Sequence, residues 1–172
     1  MQDDDLDRCA HVILDDWFAS RGWTPFGFQR DVWSAYRSGE SGLIHAATGT
    51  GKTLAAWGGP LVEWLDEQTL KPGMPRPRVR RSTAPPLRVL WITPLRALAA
   101  DTEEALRQPL VDIGIPWTLE SRTGDTSAAM RSRQSRRLPT ALVTTPESLS
   151  LLLTRDSARE MFADLRVVVV DE

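Results

Sequence analysis

The residues with the most chemistry in them are Ala46-Ala47-Thr48-Gly49-Thr50-Gly51-Lys52-Thr53. Their spacing fits the phosphate-binding pattern G-x-x-x-x-G-K-[ST], with Ala46 in place of the first glycine. Glycines let successive backbone N–H groups converge on phosphate oxygens, and the start of a helix adds positive potential. Lys52 can reach the β- and γ-phosphates, and the Thr53 hydroxyl can ligate Mg²⁺. A second element lies at Arg166-Val167-Val168-Val169-Val170-Asp171-Glu172. It reads as a buried strand that delivers two carboxylates at its carboxyl end, where ligands bind in open α/β sheets. Asp171 is then placed to hold Mg²⁺, and Glu172 to orient or deprotonate an attacking water. The two elements together point to binding and hydrolysis of a nucleoside triphosphate.

Such residues need a scaffold, and the hydrophobic pattern supplies one. Leu6, Cys9, Ala10, Ile13, Leu14 and Trp17 follow helical spacing, and a second helix is expected from residue 28 to 37. From there the chain alternates. Strands are expected at 43–46, 88–93, 117–123, 141–145 and 166–170, with helices at 53–68, 95–107, 127–137 and 147–153. Gly58-Gly59-Pro60 is expected to kink or loosen its helix, because proline removes a backbone bond. Alternation of this kind means an α/β fold with a mostly parallel sheet flanked by helices. Residues 70–86, with five prolines and five Lys or Arg, read as an exposed loop.

At three expected strand ends the residues suit a polyanion. Thr93-Pro94-Leu95-Arg96 and Thr145-Pro146-Glu147-Ser148 each place threonine at an N-cap and proline at the first helical position. Both then present unpaired N–H groups at one sheet edge, and Arg96 adds a charge. Arg122-Thr123-Gly124-Asp125 ends a third strand. Charge placement agrees: residues 71–137 hold 13 Lys or Arg against 6 Asp or Glu, inside a chain whose net charge is −2. The other candidates take plainer readings. His45 reads as a strand-end histidine, the Arg131, Arg133, Arg136 and Arg137 face as solvated, and most of the seven tryptophans as core. Trp23, Phe26 and Phe28 are the aromatic residues suited to stacking on adenine.

Composition removes other classes. The 172 residues are 41% hydrophobic, enough for a core, and no run approaches a membrane span. The start, Met1-Gln2-Asp3-Asp4-Asp5, is acidic where a secretory signal is basic and then apolar. Cys9 is the lone cysteine, which forbids an internal disulfide. The expectation is a soluble cytoplasmic protein.

Several separate motifs resemble those of the superfamily 2 helicases. Residues 46–53 match motif I and Thr93 to Ala97 match motif Ia. Thr123-Gly124-Asp125 and Thr145-Pro146-Glu147-Ser148-Leu149 look like further strand-binding motifs, Asp171-Glu172 looks like the first half of a DExH box, and Phe26-Gly27-Phe28-Gln29 resembles the Q-motif region. More narrowly, Gly22-Trp23-Thr24-Pro25-Phe26, residues 90–98 and residues 145–152 resemble the Lhr-type proteins, especially the bacterial ligase-associated DEXH-box DNA repair helicases. The resemblance implies a RecA-like P-loop NTPase domain over 22–172, preceded by an amino-terminal helix over 1–21. It implies ATP and Mg²⁺ as cofactors. Gln29 and Phe28 would serve adenine, with Ala46, Thr48, Gly49, Thr50, Gly51, Lys52 and Thr53 at the phosphates and Lys52, Asp171 and Glu172 in catalysis. Thr93, Pro94, Arg96, Gly124, Asp125, Thr145 and Pro146 would line the nucleic-acid track. DNA, as single strands and duplex junctions, is the implied partner, with RNA left open and DNA ligase and nuclease as protein partners. Because the chain stops inside the DExH box, the resemblance also implies an amino-terminal fragment, truncated before the last strand of its domain. Without a second RecA-like domain such a fragment would be essentially inactive. Two other readings fit the loop: a small P-loop kinase, and a nucleotide-dependent binding module that never turns over. The 45 residues before the loop, Gln29 among them, argue against the kinase.

Overall fold

The computed structural model describes residues 3–47, 49–69 and 84–171, and the side chains of all these except 3–9 and 69. The chain divides into two compact units, Met1–Arg80 and Arg81–Glu172.

The first unit is helical: α1 (Asp3–Ser20), α2 (Gly27–Arg37) and α3 (Lys52–Thr69). Both α1 and α2 pack on α3. The apolar spacing of α1 buries Ala10, Leu14 and Trp17, and Phe18 joins them, while Ile13 stays exposed. Gly22, in the left-handed region at φ 70°, reverses the chain between α1 and α2. The helix α3 runs unbroken through Gly58-Gly59-Pro60 instead of loosening there. The two glycines have another use. A Cβ on Gly58 would lie 2.2 Å from the Trp33 indole nitrogen, and one on Gly59 would lie 2.7 Å from the Tyr36 ring. Missing side chains thus let α2 lay Trp33 and Tyr36 directly on the α3 backbone. Polar bonds fix the fit: Trp33 Nε1 donates to Leu54 O at 3.3 Å and the Tyr36 hydroxyl to Glu63 Oε2 at 2.9 Å.

The expected strand at 43–46 does not form. Residues 40–47 have no regular secondary structure, and Leu43 is 91% exposed. A short apolar run becomes a strand only through a hydrogen-bonded neighbour, and among the described residues this run has no ladder partner.

The second unit alternates as expected. Its elements are β1 (Val89–Ile92), α4 (Arg96–Ile113), β2 (Leu119–Arg122), α5 (Ala128–Arg136), β3 (Ala141–Thr144), α6 (Pro146–Leu153), α7 (Ala158–Met161) and β4 (Val167–Val170). The sheet is wholly parallel, in the order β2-β3-β1-β4. Leu87, Leu90, Leu138, Leu142 and Leu152 form one buried cluster, with Ile92, Leu149 and Phe162 against it. The strand β3 is buried on both faces, as parallel strands usually are. The four valines of β4 are not: Val168 is 49% exposed and Val170 69%. Among the described residues β4 pairs with β1 alone and stands at the edge of the sheet, and its face carrying Val168 and Val170 lacks the cover the sequence pattern implied.

Candidate functional site

In the first unit the loop before α3 is shaped by Gly49 and Gly51, each in the left-handed region at φ 81°. Lys52 opens the helix, and its ammonium donates to Ala46 O at 2.7 Å and Ala47 O at 3.2 Å, bridging across the loop. The Thr50 hydroxyl donates to Ala47 O at 2.6 Å. Gln29, only 1% exposed, joins this loop to α2. Its Nε2 donates to Gly51 O at 2.9 Å, and its Oε1 accepts from the Phe26 backbone N–H at 2.8 Å. One amide proton and one lone pair of Gln29 remain for a further partner. A Cβ on Gly51 would meet Gln29 Nε2 at 2.7 Å, so this junction is closed to any side chain. Phe28 stacks on Phe26 with ring centroids 6.0 Å apart and planes at 17°. Trp23 stands apart from that pair and meets Trp17 and Phe18 edge-on. His45 is exposed, and Thr48 lies outside the described residues.

In the second unit strand register does the positioning. Arg122 pairs with Thr144, Thr144 shares its row with Ile92, and Ile92 with Val170. The next residue of each strand therefore falls in one row along the carboxyl edge: Thr123, Thr145, Thr93 and Asp171. The two Thr-Pro corners differ within that row. Thr145 is a true N-cap, its hydroxyl accepting from Ser148 N, with Pro146 at the first helical position. Thr93 is not, because its N–H donates to Thr144 O at 2.9 Å and so prolongs the ladder. Leu95 takes the N-cap of α4, without a side-chain bond, and Arg96 begins the helix. The sequence-based placement of Thr93 and Pro94 at a cap and first turn is therefore corrected by two residues.

Arg96 leans over the β2 end. Its Nη1 lies 3.2 Å from Asp125 Oδ1, and a Cβ on Gly124 would come 3.0 Å from the same nitrogen. Glu147 sits at the start of α6. Its own backbone N–H, then the Thr145 hydroxyl, and last the Arg96 charge hold its carboxyl below the usual carboxylate range, against a smaller desolvation effect. Asp171 is anchored twice: its N–H donates to Ile92 O at 2.8 Å, and its Oδ2 accepts from Trp91 Nε1 at 3.3 Å. Trp91 was legible only as core. Its part in orienting Asp171 depends on the pairing of β1 with β4, which no local pattern reveals. Glu172 lies outside the described residues.

Among the described residues no three His, Cys, Asp or Glu gather as a metal cluster. In the first unit Thr53 carries a hydroxyl, and in the second Asp171 carries a carboxylate. Each is a hard oxygen donor of the kind Mg²⁺ takes, one or two at a time beside waters and substrate phosphates.

Known proteins resemble this chain over most of its length. Residues 26–172 match the DEAD/DEAH box helicase family. The Lhr helicase/probable uracil glycosylase of Mycolicibacterium smegmatis is 38% identical over 171 residues, covering 94% of this chain and 10% of that protein. The ATP-dependent helicase Lhr-Core of Methanocaldococcus jannaschii is 29% identical over 180 residues, covering 99% of this chain and 20% of its own length. The solved structure of Mycobacterium smegmatis helicase Lhr bound to ssDNA and AMP-PNP superposes with a TM-score of 0.71 at 36% identity, over 97% of this chain and 20% of that one. The chain thus spans about a tenth to a fifth of these relatives. Its four-stranded parallel sheet with flanking helices is that of a RecA-like helicase domain, and the chain belongs to the DEAD/DEAH box helicase family.

Proposed function

We propose that this chain is the ATP-binding portion of a cytoplasmic, ATP-dependent DNA helicase of repair. The observation that carries the reading is the Gln29–Gly51 bond, which ties an adenine-reading position to the loop that would hold the phosphates. In this reading Gln29 uses its remaining amide proton and lone pair on adenine, and Phe28 packs against the base. The backbone of Ala46, Thr48, Gly49, Thr50 and Gly51 cradles the phosphates. Lys52 releases the carbonyls of Ala46 and Ala47 and transfers its charge to the β- and γ-phosphates. Thr53 and Asp171 are the residues that would hold Mg²⁺, which when bound neutralises phosphate charge. Glu172 orients the attacking water. Thr93, Pro94, Arg96, Gly124, Asp125, Thr145 and Pro146 lie on or beside the threonine row and take the backbone of one DNA strand. The relative solved with ssDNA and AMP-PNP supports both assignments.

The test is fluorescence titration of the chain with a fluorescent ATP analogue in Mg²⁺, beside Lys52→Ala. We expect Lys52→Ala to weaken binding at least about tenfold, as loss of a charge-assisted contact does. Equal affinity in both chains would remove the loop from nucleotide binding.

A further inference from the structure

The carboxyl end of β2 opens into a pocket of about 430 Å³ that Thr123, Gly124 and Ser148 of the strand-end corners line on one side. That volume lies within the range of ligand sites, about 300–1,000 Å³. Arg122, Arg131 and Arg155 line it, with Ser132, Ser135 and Ser148, and no carboxylate does. Arg122 belongs to β2, Arg131 to α5, and Arg155 follows α6, so three separate pieces of chain bring one sign of charge together.

These cations are not balanced from within. Arg30, Arg37, Arg96, Arg107 and Arg133 each pair with an aspartate or glutamate. Among the described residues Arg122, Arg131 and Arg155 pair with none. Arg122 is only 4% exposed, yet its Nη1 meets neutral acceptors alone, Gln134 Oε1 and Arg131 O, both at 3.4 Å. Gln134, itself wholly buried, is held in turn by Glu120 Oε2 at 2.9 Å. The nearest acid of this network is therefore one side chain removed, and its other oxygen takes Arg133 at 2.6 Å. Burial, then the charge of Arg155, then that of Arg131 work against the protonated form of Arg122 and lower its pKa. A buried cation facing two others, with hydroxyls between, is stabilised by an entering oxyanion.

We propose that this pocket is a subsite for a phosphate-class oxyanion, with Arg122 as its fixed floor and Arg131 and Arg155 as its adjustable walls. Gly124 lies on its rim, so the pocket continues from the corner where Arg96 meets Asp125. A backbone phosphate of a strand leaving the threonine row is one source of that oxyanion, and a free or terminal phosphate is the other. The first source rests on the DNA-binding reading above; the pocket itself does not.

The test uses the whole chain and the variant Arg131→Gln/Arg155→Gln. Both positions lie outside the core, whereas replacing buried Arg122 would endanger folding. Two titrations are made: inorganic phosphate, followed by the Arg122 Nε–H resonance, and a short oligothymidylate, followed by anisotropy across a salt series. We expect phosphate to shift the Arg122 resonance in the parent chain and not in the variant. We also expect the variant to bind the oligonucleotide about tenfold more weakly, with the slope of log affinity against log salt reduced by about 1. A phosphate shift abolished by the variant, with oligonucleotide binding unchanged, keeps the subsite and assigns it to free or terminal phosphate. Absence of oligonucleotide binding in the parent chain, with the phosphate response intact, breaks the strand-track reading and leaves the subsite standing. A phosphate response that is absent, or the same in both chains, overturns the proposal.

Discussion

The loop before α3 and the carboxyl edge of the sheet are built by opposite means. The loop is built from what is missing: two glycines with left-handed backbone, and two more in α3 that let α2 come close. The edge is built from repetition, four parallel strands in register that carry one residue each into the same row. A loop of the first kind is intolerant, since a Cβ on Gly51, Gly58 or Gly59 meets a close neighbour and one on Gly49 strains a left-handed backbone. An edge of the second kind is redundant, because register survives the loss of any one side chain. Substitutions in the loop unit should therefore cost more than substitutions along the edge.

The largest effect is expected at Gly58→Ala. The added Cβ would sit 2.2 Å from Trp33 Nε1, within a ring that is itself fully buried. Neither the ring nor the helix backbone can yield cheaply, and overpacking of this kind costs about 3 kcal/mol. Urea denaturation measures it, and a loss below about 1 kcal/mol would mean that α2 is free to move off α3. Next comes Gly51→Ala. A left-handed conformation costs a non-glycine residue roughly 1–2 kcal/mol, and the methyl also meets Gln29 Nε2. Nucleotide affinity should fall with stability here, because the same bond positions the loop. A variant that lost stability yet bound the ATP analogue normally would show that the Gln29–Gly51 bond is only structural.

These two regions also differ in how far the sequence revealed them. The loop was legible because its chemistry is local: Gly49, Gly51, Lys52 and Thr53 lie within five residues, and glycine at such positions has few other uses. The parallel alternation of the second unit was legible for a similar reason, since each strand–helix step repeats a period. What escaped notice depends on contacts across the chain. Gln29 reaches Gly51 over 22 positions and Trp91 reaches Asp171 over 80. The glycines of α3 pointed locally to a weak helix, and only the rings of Trp33 and Tyr36 give them their meaning. The arginines of α5 looked like one solvated face. In the structure Arg133 pairs with Glu120, Arg137 binds the Ala84 carbonyl, and Arg131 turns to the pocket with Arg122 and Arg155. The expected loop at 70–86 falls almost wholly outside the described residues.

Along the edge the two Thr-Pro corners allow a matched test. Thr145→Val removes an N-cap acceptor and should cost about 1 kcal/mol. Thr93→Val removes a hydroxyl that makes no hydrogen bond among the described residues, and keeps the backbone bond to Thr144 O. A swap of that kind is nearly neutral, within about 0.5 kcal/mol. Equal losses in the two variants would mean that the threonines act alike and that the cap assignment is wrong.

The smallest effect concerns Glu147, and it reports on the same cap. Its carboxyl is held below the usual range by its own backbone N–H first and by the Thr145 hydroxyl second, with Arg96 last. A pKa depressed in the folded state adds stability above the ordinary glutamate pKa, and that stability is lost as pH falls through the depressed value. Acid should therefore loosen the start of α6 only below the pH at which a free glutamate protonates. Carboxyl chemical shifts followed through an acid titration give the order of causes directly. Thr145→Val should raise the Glu147 pKa more than Arg96→Ala does, since the neighbouring hydroxyl lowers it more than a charge that is also shared with Asp125. The reverse order would make Arg96 the main partner of Glu147, and would tie the two strand-end corners by charge more than each is tied by its own cap.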